Sequence, residues 1–277
     1  MPERSDEELI LPAKWSARVI DWFYWYVRRL LAKKFFAVRM ERSSVAVAQQ
    51  LNVGAQPVMI VMNHCAWWDA IVFVFLRGAF CASRRVIAPM DRAQLKQFAI
   101  FRRLGVFGID PENPRSLPAM VQYVQSEMRG DSRPVIMLTP QGRFSDARLP
   151  IVVRPGAAVL ASKIADIRVV SVAVEYGFWI DARPEIFLRV RDVPNPSEPS
   201  TAGWQRVIVA SMQSNSHELA ASVATRDEKL FECMMGGTKS KINPVYDLWL
   251  RITGRRGSID LSMRTPQVDR ASRERAP

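Results

Sequence analysis

An α/β fold is predicted for this chain: a mixed, largely parallel sheet flanked by helices, with an N-terminal amphipathic helix. Two patterns carry that prediction. From about residue 50 onward, short apolar β-type runs alternate with longer helix-like stretches, the order that builds parallel strand–helix–strand units. Between residues 15 and 34 the apolar residues recur instead at three- and four-residue steps, the period of one helical face. A chain of 277 residues with 48% apolar content also supplies a sizeable core.

The first element places Trp15, Val19, Trp22, Phe23, Tyr26, Val27, Leu30 and Leu31 on one face, with Lys14, Arg18, Asp21, Arg28 and Arg29 mostly on the other. Rings with basic flanks suit the lipid headgroup interface, where Trp and Tyr bury an apolar body and keep a polar tip wet. The same face can also pack on the protein's own core. Strand-like runs follow at Val58–Met62, Val86–Ala88, Val135–Leu138, Val169–Val174 and Glu185–Val190. They alternate with helix-like stretches at Ala66–Phe80, Arg92–Arg103, Leu117–Met128 and Ala157–Ile164. Pro194 to Ser200 forms a Pro- and Ser-rich loop before a helix at Ala202–Ala224, and the chain after Gly254 is basic and polar. The organisation expected is a membrane-interface helix over residues 1–42, a folded domain over 43–235 and a basic tail over 236–277.

Thirty-nine Lys and Arg against 27 Asp and Glu leave a net charge of +12, which favours an anionic partner. No helix-turn-helix, zinc or RNA-binding pattern accompanies that charge, so no nucleic-acid partner is expected. Cys65, Cys81 and Cys233 are widely spaced, lack a CxxC pair and have only two histidines in the chain for company, which argues against a zinc site and for a reducing compartment. The acidic start Glu3 to Glu8 lacks the positive region of a secretory signal. The uncharged span Ser43–Trp68 is rich in Gln and Asn, and the apolar run after Asp69 stops at Arg77, so no transmembrane helix is expected. The location expected is peripheral, on the cytoplasmic face of a membrane, with the aromatic helix as anchor.

One of the two histidines, His64, sits at the break between the apolar runs Val58–Met62 and Ala70–Leu76, five residues before Asp69. At a strand-to-helix junction an imidazole can be exposed at the edge of the sheet, where α/β proteins place ligands. A carboxylate on one ring nitrogen would fix its tautomer and leave the other to take a proton from a hydroxyl. On the residues alone, two readings stay open: a catalytic pair, or a structural histidine beside a helix-capping aspartate. The second histidine, His217, lies in a polar helical stretch and is read as surface.

The stretch Asn63-His64-Cys65-Ala66-Trp67-Trp68-Asp69 resembles the N-H-x4-D signature of the glycerolipid and lysophospholipid acyltransferases, the 1-acylglycerol-3-phosphate acyltransferase-like family. Three later stretches resemble that family's further blocks in order: Leu104 to Asp110, then Thr139-Pro140-Gln141-Gly142-Arg143-Phe144-Ser145, then Arg154 to Ala161 with Val169 to Val174. The resemblance implies acyl transfer from acyl-CoA or acyl carrier protein, as co-substrate and with no other cofactor or metal, to a hydroxyl of a lipid-like acceptor. It implies His64 as general base and Asp69 as its support, with Asn63, Gln141, Gly142, Arg143 and Phe144 at the substrate. Cys65 need not be a nucleophile, because the attacking oxygen belongs to the acceptor. Backbone amides near Gly142 are candidates to hold the oxyanion.

The chain departs from the family pattern at two places that bear phosphate-binding arginines. Pro111 stands where an arginine often follows the second block; Gln141 replaces the usual glutamate, and Phe144 stands where the third block has its arginine. Proline and phenylalanine cannot imitate the planar guanidinium fork. Arg143 and Arg115 are the candidate substitutes, and without them the acceptor expected is a hydroxyl lipid other than lysophosphatidic acid. The alternative is a catalytically silent, membrane-associated lipid-binding or scaffold protein of the same fold. The pairs Arg84-Arg85, Arg102-Arg103 and Arg255-Arg256 are read first as solvated surface.

Overall fold

The structure, a computed structural model, describes residues 9–131, 133–179, 181–237 and 252. Its strands are β1 (Ala37–Glu41), β2 (Val58–Met62), β3 (Val86–Asp91), β4 (Val106–Ile109), β5 (Val135–Leu138), β6 (Arg168–Gly177), β7 (Glu185–Asp192) and β8 (Phe231–Gly236). They form one sheet in the order β4-β3-β5-β2-β6-β7-β1-β8. The run from β4 to β6 is parallel throughout; β7 is antiparallel to β6, β1 parallel to β7 and β8 antiparallel to β1. This is the mixed, largely parallel sheet that the alternating pattern predicts.

Strand β2 shows why. All five of its residues, Val-Met-Ile-Val-Met, are buried, as a strand covered on both faces requires. Val58, Ile60 and Met62 join one core, while Met59 and Val61 join the other. The first core takes in helices α1 (Ala17–Lys34), α2 (Arg42–Gln49) and α3 (Asp69–Phe80). After a short α4 (Arg92–Gln97), the helices α5 (Ser116–Met128), α6 (Gly156–Lys163) and α7 (Thr201–Thr225) build the second. Ser200 caps α7 by accepting the Gly203 amide at 3.0 Å.

Four elements escaped the sequence pattern: β1, α2, β4 and β8. In β1 the residues Arg39 and Glu41 interrupt the apolar run, yet Arg39 is buried, in an ion pair with Glu185 and 5.2 Å above the Trp179 ring. A partner 146 residues away is what lets a cation sit in that strand. The segment expected as an N-terminal appendage, 1–42, thus contributes a strand to the sheet. Beyond Gly237, the expected basic tail, including Arg255-Arg256, lies outside the described residues except for residue 252.

Helix α1 packs on the core along one face and leaves rings exposed on another. Ile20, Val27 and Leu31 are buried in the core, while Trp22, Trp25 and Tyr26 are exposed. The Trp22 and Tyr26 rings stack at 6.1 Å, and the Arg29 guanidinium lies 4.2 Å over the Trp25 ring. Among the described residues, no helix is long and apolar enough to cross a membrane.

Helices α1 and α3 meet closely at Gly78, where an added Cβ would come within 2.3 Å of the Tyr24 ring. Gly78→Val should therefore destabilise the fold by ~1–3 kcal/mol through overpacking. Adding Tyr24→Ala in the same chain should recover part of that loss, read as non-additivity in chemical denaturation. Strictly additive losses would mean that α1 does not pack there.

Candidate active site

The polypeptide leaves the sheet at Met62 and re-enters regular structure at Asp69, the first residue of α3. Asn63 fixes the exit. Its Oδ1 accepts the Val174 amide at 2.8 Å and its Nδ2 donates to the Val174 carbonyl at 3.0 Å, so the side chain continues the β2–β6 ladder after the backbone has turned away. Asn63 is buried and spends its amide on this strand; it does not line the cavity described below. His64 follows at the carboxyl end of the parallel strands, where such sheets expose their sites.

Asp69 is fully buried, and its carboxylate is saturated by donors. Oδ2 accepts from His64 Nδ1 at 2.7 Å, from the Cys65 amide at 2.7 Å and from the Ala66 amide at 2.9 Å. Oδ1 accepts from the Tyr176 hydroxyl at 2.6 Å. The positive end of α3 favours an anion at this position. With Nδ1–H directed at the carboxylate, Nε2 of His64 is the nitrogen left to take a proton.

The third block straps the histidine from behind. Gln141 Oε1 accepts the His64 amide at 2.8 Å, and the His64 carbonyl accepts the Ser145 amide at 2.8 Å. A neutral carboxamide oxygen is sufficient for that acceptor role, so Gln141 in place of glutamate leaves the strap intact. The Phe144 ring lies 4.4 Å from the imidazole, centroid to centroid.

Burial, reinforced by the Asp69 charge, pushes the Cys65 thiol and the Tyr176 hydroxyl far above their ordinary values. Tyr176 therefore remains a hydrogen-bond donor to Asp69. Cys65 remains a thiol, without the thiolate that a nucleophile requires.

Gly142 adopts φ +65, a conformation that favours glycine, and a Cβ there would sit 2.9 Å from Nε of the Arg154 side chain, which would have to shift. Its own amide is committed to the Thr139 carbonyl at 3.0 Å, which removes it from the oxyanion donors. The next two amides, of Arg143 and Phe144, donate to no other group among the described residues.

His64, Gly142, Arg143 and Phe144 line a largely apolar cavity of about 830 Å³. It follows the face of α3 that carries Ala70, Phe73, Val74 and Arg77, ~12 Å of helix from Asp69. Of the two arginines considered as substitutes, Arg143 is on the cavity wall, whereas Arg115 is exposed and is not part of it. Arg154, which sequence reasoning assigned no role, is on the wall instead. Its guanidinium donates to the Pro111 carbonyl at 3.3 Å and to Glu112 at 3.1 Å, beside the position where the family arginine is missing. The available signal was its place at the head of the fourth block.

The acyltransferase family model matches residues 37–175, half of the chain. The chain belongs to the acyltransferase family. The match opens on β1 and closes within β6, so it spans the dyad, the strap and the cavity wall apart from Ile20. Among solved structures, the 1-acyl-sn-glycerophosphate (LPA) acyltransferase PlsC from Thermotoga maritima shares the fold with a TM-score of 0.51 at 14% identity, over 73% of this chain and 80% of that one. No curated protein matches the sequence significantly.

The strap makes a directional test. Gln141→Leu should lower acyl transfer sharply and cost ~1–3 kcal/mol, because the His64 amide loses its acceptor. Gln141→Glu should retain both activity and thermal stability, since either side chain presents an oxygen there. Equal behaviour of the two variants would dissolve the role assigned to Gln141.

Proposed function

We propose that this protein transfers an acyl group from an acyl thioester, on coenzyme A or acyl carrier protein, to a hydroxyl of a lipid acceptor, with His64 as general base. The observation that carries the reading is the 2.7 Å bond from His64 Nδ1 to a fully buried Asp69, made by a histidine that lines an apolar cavity of about 830 Å³. That volume is within the ~300–1,000 Å³ range of ligand cavities, and its apolar wall along α3 suits a fatty chain.

In the reaction, His64 Nε2 takes the proton of the acceptor hydroxyl as its oxygen attacks the thioester carbonyl. Asp69 stabilises the imidazolium that forms. The amides of Arg143 and Phe144 are free to donate to the tetrahedral oxyanion, a contribution of ~3 kcal/mol per donor. Collapse breaks the carbon–sulfur bond, and the departing thiolate recovers the proton from His64. Arg143, exposed at the cavity wall, suits the phosphate of the pantetheine arm that both donors carry.

The acceptor of this reading is not lysophosphatidic acid. Pro111 and Phe144 stand at the two arginine positions, and Arg154 is already engaged by Glu112 and the Pro111 carbonyl. A catalytically silent scaffold would have no use for a buried carboxylate holding a histidine at a cavity. We further propose that the exposed rings of α1, Trp22, Trp25 and Tyr26, dock the protein peripherally on a membrane, with Phe98 and Ile100 extending the exposed apolar surface.

With purified protein, an acyl thioester and a panel of hydroxyl lipids, His64→Ala should abolish transfer while preserving the melting temperature. Cys65→Ala should retain most of the rate; loss in both variants alike would point to a covalent acyl-enzyme instead. For the membrane contact, changing Trp22, Trp25 and Tyr26 together to serine should release the protein from sedimenting anionic liposomes. Unchanged sedimentation would remove α1 as the anchor.

A further inference from the structure

A second cavity, of about 530 Å³, lies on the other side of the Asn63–Trp68 turn, with Cys65 and Ala66 in its wall. Its chemistry differs from that of the apolar cavity. Phe35, Trp68 and Tyr176 form a fixed set of rings: Phe35 meets Trp68 edge-on at 4.9 Å and Tyr176 at 6.0 Å. Phe178, 61% exposed, stands at its rim.

The charged residues of this wall are Asp146, Arg148 and Glu175. Asp146 and Arg148 satisfy one another through two bonds of 2.9 Å. The Glu175 side chain has no hydrogen bond or ion pair among the described residues, although it is partly buried. Burial raises its pKa, and Asp146 adds to that while Arg148 opposes it. A partly buried carboxylate without a partner is costly unless a cation or donor reaches it. Aromatic faces also attract cations, most strongly when water is excluded. In a chain of net charge +12, two carboxylates and one guanidinium make this a locally negative, ring-walled hollow.

The hollow is coupled to the dyad by direct contacts. Tyr176, in its wall, donates its hydroxyl to Asp69, and the amides of Cys65 and Ala66 donate to the same carboxylate. A head group seated there would lie one side chain from the dyad, across the turn from the apolar cavity.

We propose that this second cavity binds an ammonium-bearing head group of the acceptor, with Glu175 as counter-ion and the Trp68 and Phe178 rings as walls. The acceptor class is then a hydroxyl lipid with an amine in its head group. The assignment rests on the acyl-transfer reading for the word acceptor, but the binding itself does not require catalysis.

The test titrates full-length protein, by calorimetry, with a monoalkyl amine, a monoalkyl polyol and a monoalkyl phosphate of one chain length, below their micelle concentrations. The amine should bind at least tenfold more tightly than the polyol, against the protein's overall positive charge. Glu175→Gln should remove that tenfold preference, and Phe178→Ser, at an exposed position, should weaken it. An amine preference that survives Glu175→Gln, or tighter binding of the polyol or phosphate by the wild type, would overturn the proposal. Absence of acyl transfer by wild type together with a Glu175-dependent amine preference would instead remove the catalytic reading and leave the binding site standing.

Discussion

The carboxylate of Asp69 is the interaction on which the site depends. Moving an ion of this kind out of water costs several kcal/mol, and only donors can offset it. Here they come from two parts of the chain: the imidazole and two amides of the turn after β2, and the hydroxyl of Tyr176 in β6, while the dipole of α3 favours the charge at its amino end. The turn folds around the carboxylate because its amides have nowhere else to go. The histidine is thereby held in one orientation and one tautomer before any substrate arrives.

That constraint also explains the arrangement around the dyad. Asn63 lets the backbone leave the sheet without abandoning its ladder, and Gln141 and Ser145 close on His64 from the opposite side. The turn becomes a partition. On one side is an apolar cavity along α3, and on the other an aromatic hollow containing Glu175. Because the imidazole and the carboxylate sit within the partition, both cavities adjoin a single buried anion, bonded by His64 on one side and Tyr176 on the other. Gly142 serves the same design at the mouth, where its missing side chain lets Arg154 close on the turn.

Much of the fold was legible because it rests on local pattern. The continuous apolar run of β2, the strand–helix alternation and the helical period of α1 each follow from burial on two faces or one. The pair His64 and Asp69 was legible because both partners lie on one short turn. What escaped depends on residues far apart in sequence. Tyr176 completes Asp69 from 107 residues away, and Arg39 is tolerated in β1 only because Glu185 meets it across the sheet. Gly142 was rightly singled out for its backbone freedom, yet its amide is consumed by a turn to Thr139, and the free amides are the next two along. Arg115 was a reasonable cation by position, but its exposed place at the start of α5 keeps it off the wall that Arg154 occupies.

The most direct test of this account is the rate of acyl transfer by Asp69→Asn compared with wild type, in protein shown by melting and circular dichroism to be folded. The substitution keeps the shape of the side chain but removes the charge that orients and stabilises the imidazole. Loss of such a partner in another His-dependent enzyme lowered kcat by ~10⁴, and the account predicts a loss of at least about a hundredfold. A folded Asp69→Asn protein that transfers acyl groups at the wild-type rate would contradict it.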